Sequence, residues 1–195
     1  MTRLRAPLLA LASGIALVVG THAPAQAHGL AGDGLAAGLS HPLLGLDHLL
    51  MLVASGTAAA LVSPWLLAWA LGGAVLGAVI GSLGVSLPGA EVLAALAIGA
   101  VALSGLKAAR LPQLGGLVVG GGMAIHALLH GLEAPGGVQA LPWWGGALIS
   151  AVLVCTSSWL LLRRAPRQTG QTLAMGLCGV ALLLTWAPLA TLNPG

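Results

Sequence analysis

Apolar residues run along this chain in long blocks. An α-helix needs about 20 mostly apolar residues to cross a bilayer, and six blocks of that size predict spans over 41–62, 65–86, 90–109, 113–133, 141–162 and 170–190. The breaks carry turn chemistry: Pro64, Pro88-Gly89, Pro112, Pro135-Gly136-Gly137 and Pro166 all fall between blocks. Inside the blocks, Gly73, Gly77 and Gly81 recur at every fourth position, as do Gly116 and Gly120. Small residues on one face let helices approach closely in lipid, where no hydrophobic drive acts between them. The expected fold is an all-α membrane protein, a tight six-helix transmembrane bundle with short connections.

A different pattern precedes the first span. Arg3 and Arg5 form a charged start, 8–20 is a short apolar run, and Ala25-Gln26-Ala27 places small residues where a signal peptidase cuts. Residues 1–27 therefore read as a signal peptide cleaved after Ala27, leaving 28–195 as a single transmembrane domain. Cleavage would make His28 the mature N-terminus. A free α-amine beside an imidazole can chelate a divalent metal through two nitrogens.

Composition agrees with the block pattern and removes other classes. The chain is 58 % hydrophobic and 6 % charged, with a mean hydropathy of +1.02; soluble domains carry about 25 % charged residues. An aqueous enzyme, a nucleic-acid binder and a disordered regulator are excluded on this ground. The net charge of +3 is no nucleic-acid patch, because the basic residues are scattered and not interleaved with aromatics. They instead set orientation. With a processed N-terminus outside, Lys107, Arg110, Arg163, Arg164 and Arg167 all fall on the cytoplasmic side, as the positive-inside rule requires. The dominance of Leu, Ala and Gly suggests a GC-rich bacterial genome. The expected location is the bacterial inner membrane, multi-pass, with both mature termini periplasmic.

This topology gathers the chemistry on one side. His28 and Asp33 lie in the outer leader, His41, Asp47 and His48 in the outer half of the first span, and Glu91 at the outer end of the third. His126, His130 and Glu133 occupy the outer end of the fourth. On a continuous helix His41 and His48 stand two turns apart on one face, about 10 Å along the axis. His126 and His130 are one turn apart on one face, and Glu133 continues it. An aspartate near the membrane centre costs roughly 2.5–3.5 kcal/mol, so such a residue marks function by default, although Asp47 is less deep than that. Imidazole with carboxylate suits borderline divalent metals such as nickel, cobalt or zinc; magnesium wants oxygen alone and copper(I) wants sulfur. A proton relay and a structural polar network remain alternatives.

The other polar and soft residues read more plainly. Cys155 and Cys178 are small buried hydrophobes rather than a disulfide framework. Met51 and Met123, one turn deeper than His48 and His126, read as packing residues or a soft second station on an inward path, and Ser55 continues that line. Trp143 and Trp144 open the fifth span as interfacial anchors with no catalytic role.

A cleaved signal followed by His-Pro-x-x-Gly-x-Asp-His at the first mature span resembles the HupE/UreJ family, hydrogenase- and urease-associated membrane proteins regarded as nickel or cobalt permeases. The resemblance covers essentially the whole chain. It implies that His41, Asp47 and His48 are needed for metal uptake. The second motif departs from the family's pattern of Phe-His-Gly with an acid five residues after the histidine. Here it is Leu129-His130-Gly131, the acid Glu133 comes three after the histidine, and position 135 is proline. His130 carries over, Glu133 stands as its substitute acid, and His126 rests on helical spacing alone.

The metal set expected is thus His41, Asp47, His48, His126, His130, Glu133 and His28, with nickel or cobalt as substrate ahead of zinc. The expected partners are the metal ion and the lipid bilayer, with no nucleic acid. A second copy of the chain or metalloenzyme maturation proteins stand beside them. An enzyme is not expected: His126-Ala-Leu-Leu-His130 lacks the glutamate of a zinc protease, and no Gly-x-Ser-x-Gly elbow occurs. A non-transporting membrane metal sensor or donor for hydrogenase or urease maturation is the alternative to a permease.

Overall fold

The computed structural model describes residues 34–107 and 112–192, without the side chains of Pro112, Glu133 and residues 187–192. The signal-peptide reading, His28 and Asp33 lie outside the described residues. All regular structure among the described residues is helical: α1 (Gly34–Leu44), α2 (Leu46–Leu61), α3 (Trp65–Ser82), α4 (Ala90–Lys107), α5 (Pro112–Glu133), α6 (Ala140–Leu162) and α7 (Arg167–Leu192), with a 3-10 turn at Gly137–Gln139 before α6. Helices α3 to α7 are each long and apolar enough to cross a membrane, and α1 with α2 makes a sixth, broken candidate bent by 76°.

The first expected span, a continuous helix over 41–62, is therefore corrected to two helices. Pro42 lies inside α1, where its missing N–H and its ring weaken the preceding turn. The chain then leaves the helical region at Gly45, with φ −78° and ψ 113°. The break is short. Gly45 N–H still donates to the His41 carbonyl at 3.1 Å, and Leu49 N–H donates to the Gly45 carbonyl at 3.0 Å. Non-helical backbone at membrane depth is tolerated where protein covers it.

Helix α2 is the centre of the bundle. Met51, Leu52, Ala54, Ser55, Thr57, Ala58, Ala59 and Leu61 are all buried along it, packed among α4, α6, α7 and α3. Its hydroxyls cost nothing there, because Ser55 Oγ donates to the Met51 carbonyl at 3.0 Å and Thr57 Oγ1 to the Val53 carbonyl at 2.7 Å. Below the polar end of α2 the core is apolar, built from Met51, Ile98, Val101, Val119 and Met123.

The glycine repeat has a direct structural reading. A Cβ at Gly73, Gly77 or Gly81 would run into the backbone carbonyls of Gly120, Ala124 and Leu128 respectively, so the stripe lets α3 lie against α5. A second close approach joins α1 to α6. A Cβ at Gly38 would strike the Trp143 carbonyl, and one at Gly146 would strike the Leu35 carbonyl. Ser150 Oγ of α6 donates across this seam to the Leu39 carbonyl of α1 at 2.6 Å. The thiols act similarly: Cys155 Sγ donates to the Leu52 carbonyl and Cys178 Sγ to the Gly99 carbonyl, each at 3.4 Å. Both cysteines are free.

Charge is segregated along the bundle axis. Ala60, Leu61, Arg163, Arg167 and Gly170 line one cavity, so the arginines sit at the C-terminal end of α2. The histidines and Asp47 sit towards its N-terminal end.

Candidate metal centre

Asp47 and His48 lie in the first turn of α2, immediately after the break. A carboxylate there is favoured by the partial positive charge of the helix N-terminus. Asp47 Oδ1 accepts a hydrogen bond from His48 Nδ1 at 3.0 Å. A carboxylate offers no proton, so the bond places the ring proton on Nδ1 and the free lone pair on Nε2. This is the arrangement by which a carboxylate orients a metal-ligating imidazole.

The second half comes from α5. His126 and His130 are one turn apart, and both rings turn towards α2. The His48 ring lies 3.8 Å from His130 and 4.7 Å from His126, centroid to centroid. Asp47 Oδ2 is 3.7 Å from His126 Nε2. Ligand atoms from Asp47, His48, His126 and His130 all lie within 4.8 Å of one another. A metal bound at about 2.0–2.2 Å from each ligand spaces them roughly 3–4 Å apart, so a small inward movement of the side chains closes the shell.

The unsatisfied atoms point the same way. His48 Nε2 and both ring nitrogens of His126 are buried with no hydrogen-bond partner among the described residues. A buried polar atom left without a partner costs about 1–3 kcal/mol. Aiming imidazole lone pairs at a common point is wasteful as packing and suitable as a binding site. His48 is 7 % exposed and His126 3 %, while the Asp47 side chain is 45 % exposed. The cluster is thus dry inside, with the carboxylate at its accessible edge.

His41 is not among the four residues whose ligand atoms converge, but its ring lies beside them by a route that helical spacing does not predict. The turn at Gly45 brings its ring to 4.7 Å from His48 and 5.0 Å from His130, instead of the roughly 10 Å that two turns of continuous helix would impose. Glu133 ends α5, but its side chain is outside the described residues, as is all of His28. Glu91 opens α4, exposed, and is not part of the His/Asp group.

The family model described as HupE / UreJ protein matches residues 15–187. The chain belongs to the HupE/UreJ family. Protein HupE from Rhizobium leguminosarum bv. viciae is 32 % identical over 172 residues, which is 82 % of this chain and 90 % of that relative. No solved structure matches the chain.

In this HupE/UreJ protein one residue near the cluster escapes a reading by composition. Trp143, expected at the membrane interface as an anchor, is 4 % exposed. Its indole packs on the His41 ring at 4.9 Å and is backed at right angles by Trp144 at 4.9 Å. The signal that would have exposed it is Gly146, three residues on, whose missing side chain brings α1 against the same face of α6. Met51 and Met123 are buried in the apolar core beneath the histidines, as packing residues would be.

Proposed function

We propose that the chain is an uptake permease for a divalent transition metal, nickel or cobalt, with its metal site in the outer half of the membrane. The observation that carries this is the convergence of Asp47, His48, His126 and His130 from two helices on one partly buried point. Imidazole and carboxylate together select borderline divalent ions over magnesium and calcium. The family's association with hydrogenase and urease, both nickel enzymes, supports nickel ahead of zinc.

In this reading α1 and α2 form the first of six spans, entered from the periplasm after removal of residues 1–27. The arginine-rich end faces the cytoplasm under the positive-inside rule, so both mature termini are periplasmic in the inner membrane. Metal meets His28 and Asp47 first and passes to the histidines, with His41 completing the set and Glu133 at the rim. Entry into an inside-negative cell is driven by about 2.3 kcal/mol per charge per 100 mV, doubled for a divalent ion. No catalytic step is assigned.

One observation favours a second reading, a non-transporting sensor or donor serving metalloenzyme maturation. Met51, Ile98, Val101 and Val119 are fully buried beneath the cluster, and inward passage requires that packing to open. Metal accumulation separates the two. Cells expressing the protein are given low nickel, cobalt and zinc together and compared with Asp47→Asn and His48→Ala at matched membrane levels. A permease accumulates one metal and both variants abolish it. No accumulation by cells whose purified protein binds metal supports the sensor or donor.

A further inference from the structure

We propose that Trp143 is a positioning residue of the metal centre, holding the His41 imidazole in place as a ligand. This rests on the metal reading above. The argument begins with where His41 comes from. The four residues whose ligand atoms converge stand on α2 and α5, whereas His41, whose ring lies beside them, stands on α1, which is joined to α2 only through the non-helical Gly45. The packing partner of α1 is α6. The two are drawn together by Gly38 against the Trp143 carbonyl, by Gly146 against the Leu35 carbonyl, and by the 2.6 Å hydrogen bond from Ser150 to Leu39. Helix α6 therefore sets where His41 stands relative to ligands that α6 does not carry.

Trp143 is the side chain through which it does so. Among the described residues, the His41 ring lies against His48 at 4.7 Å, His130 at 5.0 Å and Trp143 at 4.9 Å. Two are metal-ligand candidates, and the third is a rigid buried indole braced by Trp144. A buried indole packed beside an imidazole, here tilted 55° to it, limits the rotation of that ring. Hydrogen-bonded partners that orient a ligand typically govern affinity by about 10–100-fold, and a packing partner is expected at the lower end of that range.

The test uses purified full-length protein in detergent, titrated with cobalt(II) and followed by calorimetry and by its visible ligand-field spectrum. Wild type is compared with Trp143→Ala, Trp143→Phe, His41→Ala and the Trp143→Ala, His41→Ala double variant. Trp143→Ala is expected to weaken cobalt binding about tenfold and to shift the spectrum as His41→Ala does. Trp143→Phe, which keeps a flat aromatic face, is expected to retain both. The double variant is expected to match His41→Ala alone. Wild-type affinity and spectrum in Trp143→Ala, or losses that add in the double variant, overturn the proposal. If Trp143→Ala does not fold, Trp143→Leu takes its place, and an unchanged spectrum there overturns it equally. Wild-type protein that binds no cobalt overturns the metal reading itself, and this proposal with it.

Discussion

Gly45→Ala separates the role of the helix break from the role of the space beside it. The backbone at Gly45, φ −78° and ψ 113°, is open to any L residue, so alanine meets no conformational penalty. Its Cβ, however, would collide with His48 Nδ1 and lie 3.2 Å from both Cγ and Cε1 of that ring. Restoring ordinary van der Waals contact requires the ring to move roughly 1 Å. That displacement falls on the nitrogen that donates to Asp47 at 3.0 Å and stretches the bond to where it is weak. His48 is only 7 % exposed, so the ring has little room to swing and keep the bond. The expected loss is that of an orienting partner, about 10–100-fold in metal affinity, or about 1.4–2.8 kcal/mol. Global stability should change by less than about 1 kcal/mol, the scale of a glycine-to-alanine change at a backbone position that alanine adopts without strain. Calorimetric titration with nickel or cobalt, run beside thermal unfolding, reads both quantities. A Gly45→Ala protein that binds metal within about threefold of wild type refutes the reasoning.

Metal affinity should fall as pH is lowered from about 7.5 to about 5.5. Ligating imidazoles must be neutral, so protons compete with the ion, at about tenfold for each imidazole of ordinary basicity that must be freed; an unchanged affinity argues against ligation by any imidazole of ordinary basicity. Gly77→Val should lower the thermal midpoint by an amount equivalent to about 1–3 kcal/mol, because the atoms nearest the added Cβ are backbone atoms of Ala124, which cannot swing aside. It should also weaken metal binding, since Ala124 lies two residues before His126. Gly72→Ala on the same helix is the control: its Cβ meets nothing within 4 Å, so stability should hold or rise by up to about 1 kcal/mol and metal binding should not move.

The helices were readable because lipid demands long apolar blocks, and Pro64, Pro112 and Pro166 mark where α3, α5 and α7 start. The pairing of His126 with His130 was readable too, since residues four apart share a helical face whatever the tertiary fold. The break at Gly45 was not. Glycine is common within transmembrane helices, and Gly73, Gly77 and Gly81 sit in an unbroken one. What distinguishes Gly45 is a neighbour, the His48 ring occupying the space of its missing side chain. The approach of His41 to His48 depends on that break, so seven-residue spacing misjudged it. Trp143 was misread for a related reason. A tryptophan at a span end usually anchors the interface, and only the packing of α1 on α6 buries this one.

The central claim is that the protein moves a divalent transition metal across the membrane through the Asp47, His48, His126 and His130 cluster. Purified protein in sealed liposomes, loaded with a metal-sensitive dye and given an inside-negative potential, tests it most directly. The account predicts dye response to external nickel or cobalt that grows with the potential and is lost in His48→Ala and His126→Ala. Metal bound tightly at the cluster with no flux at any potential would contradict it.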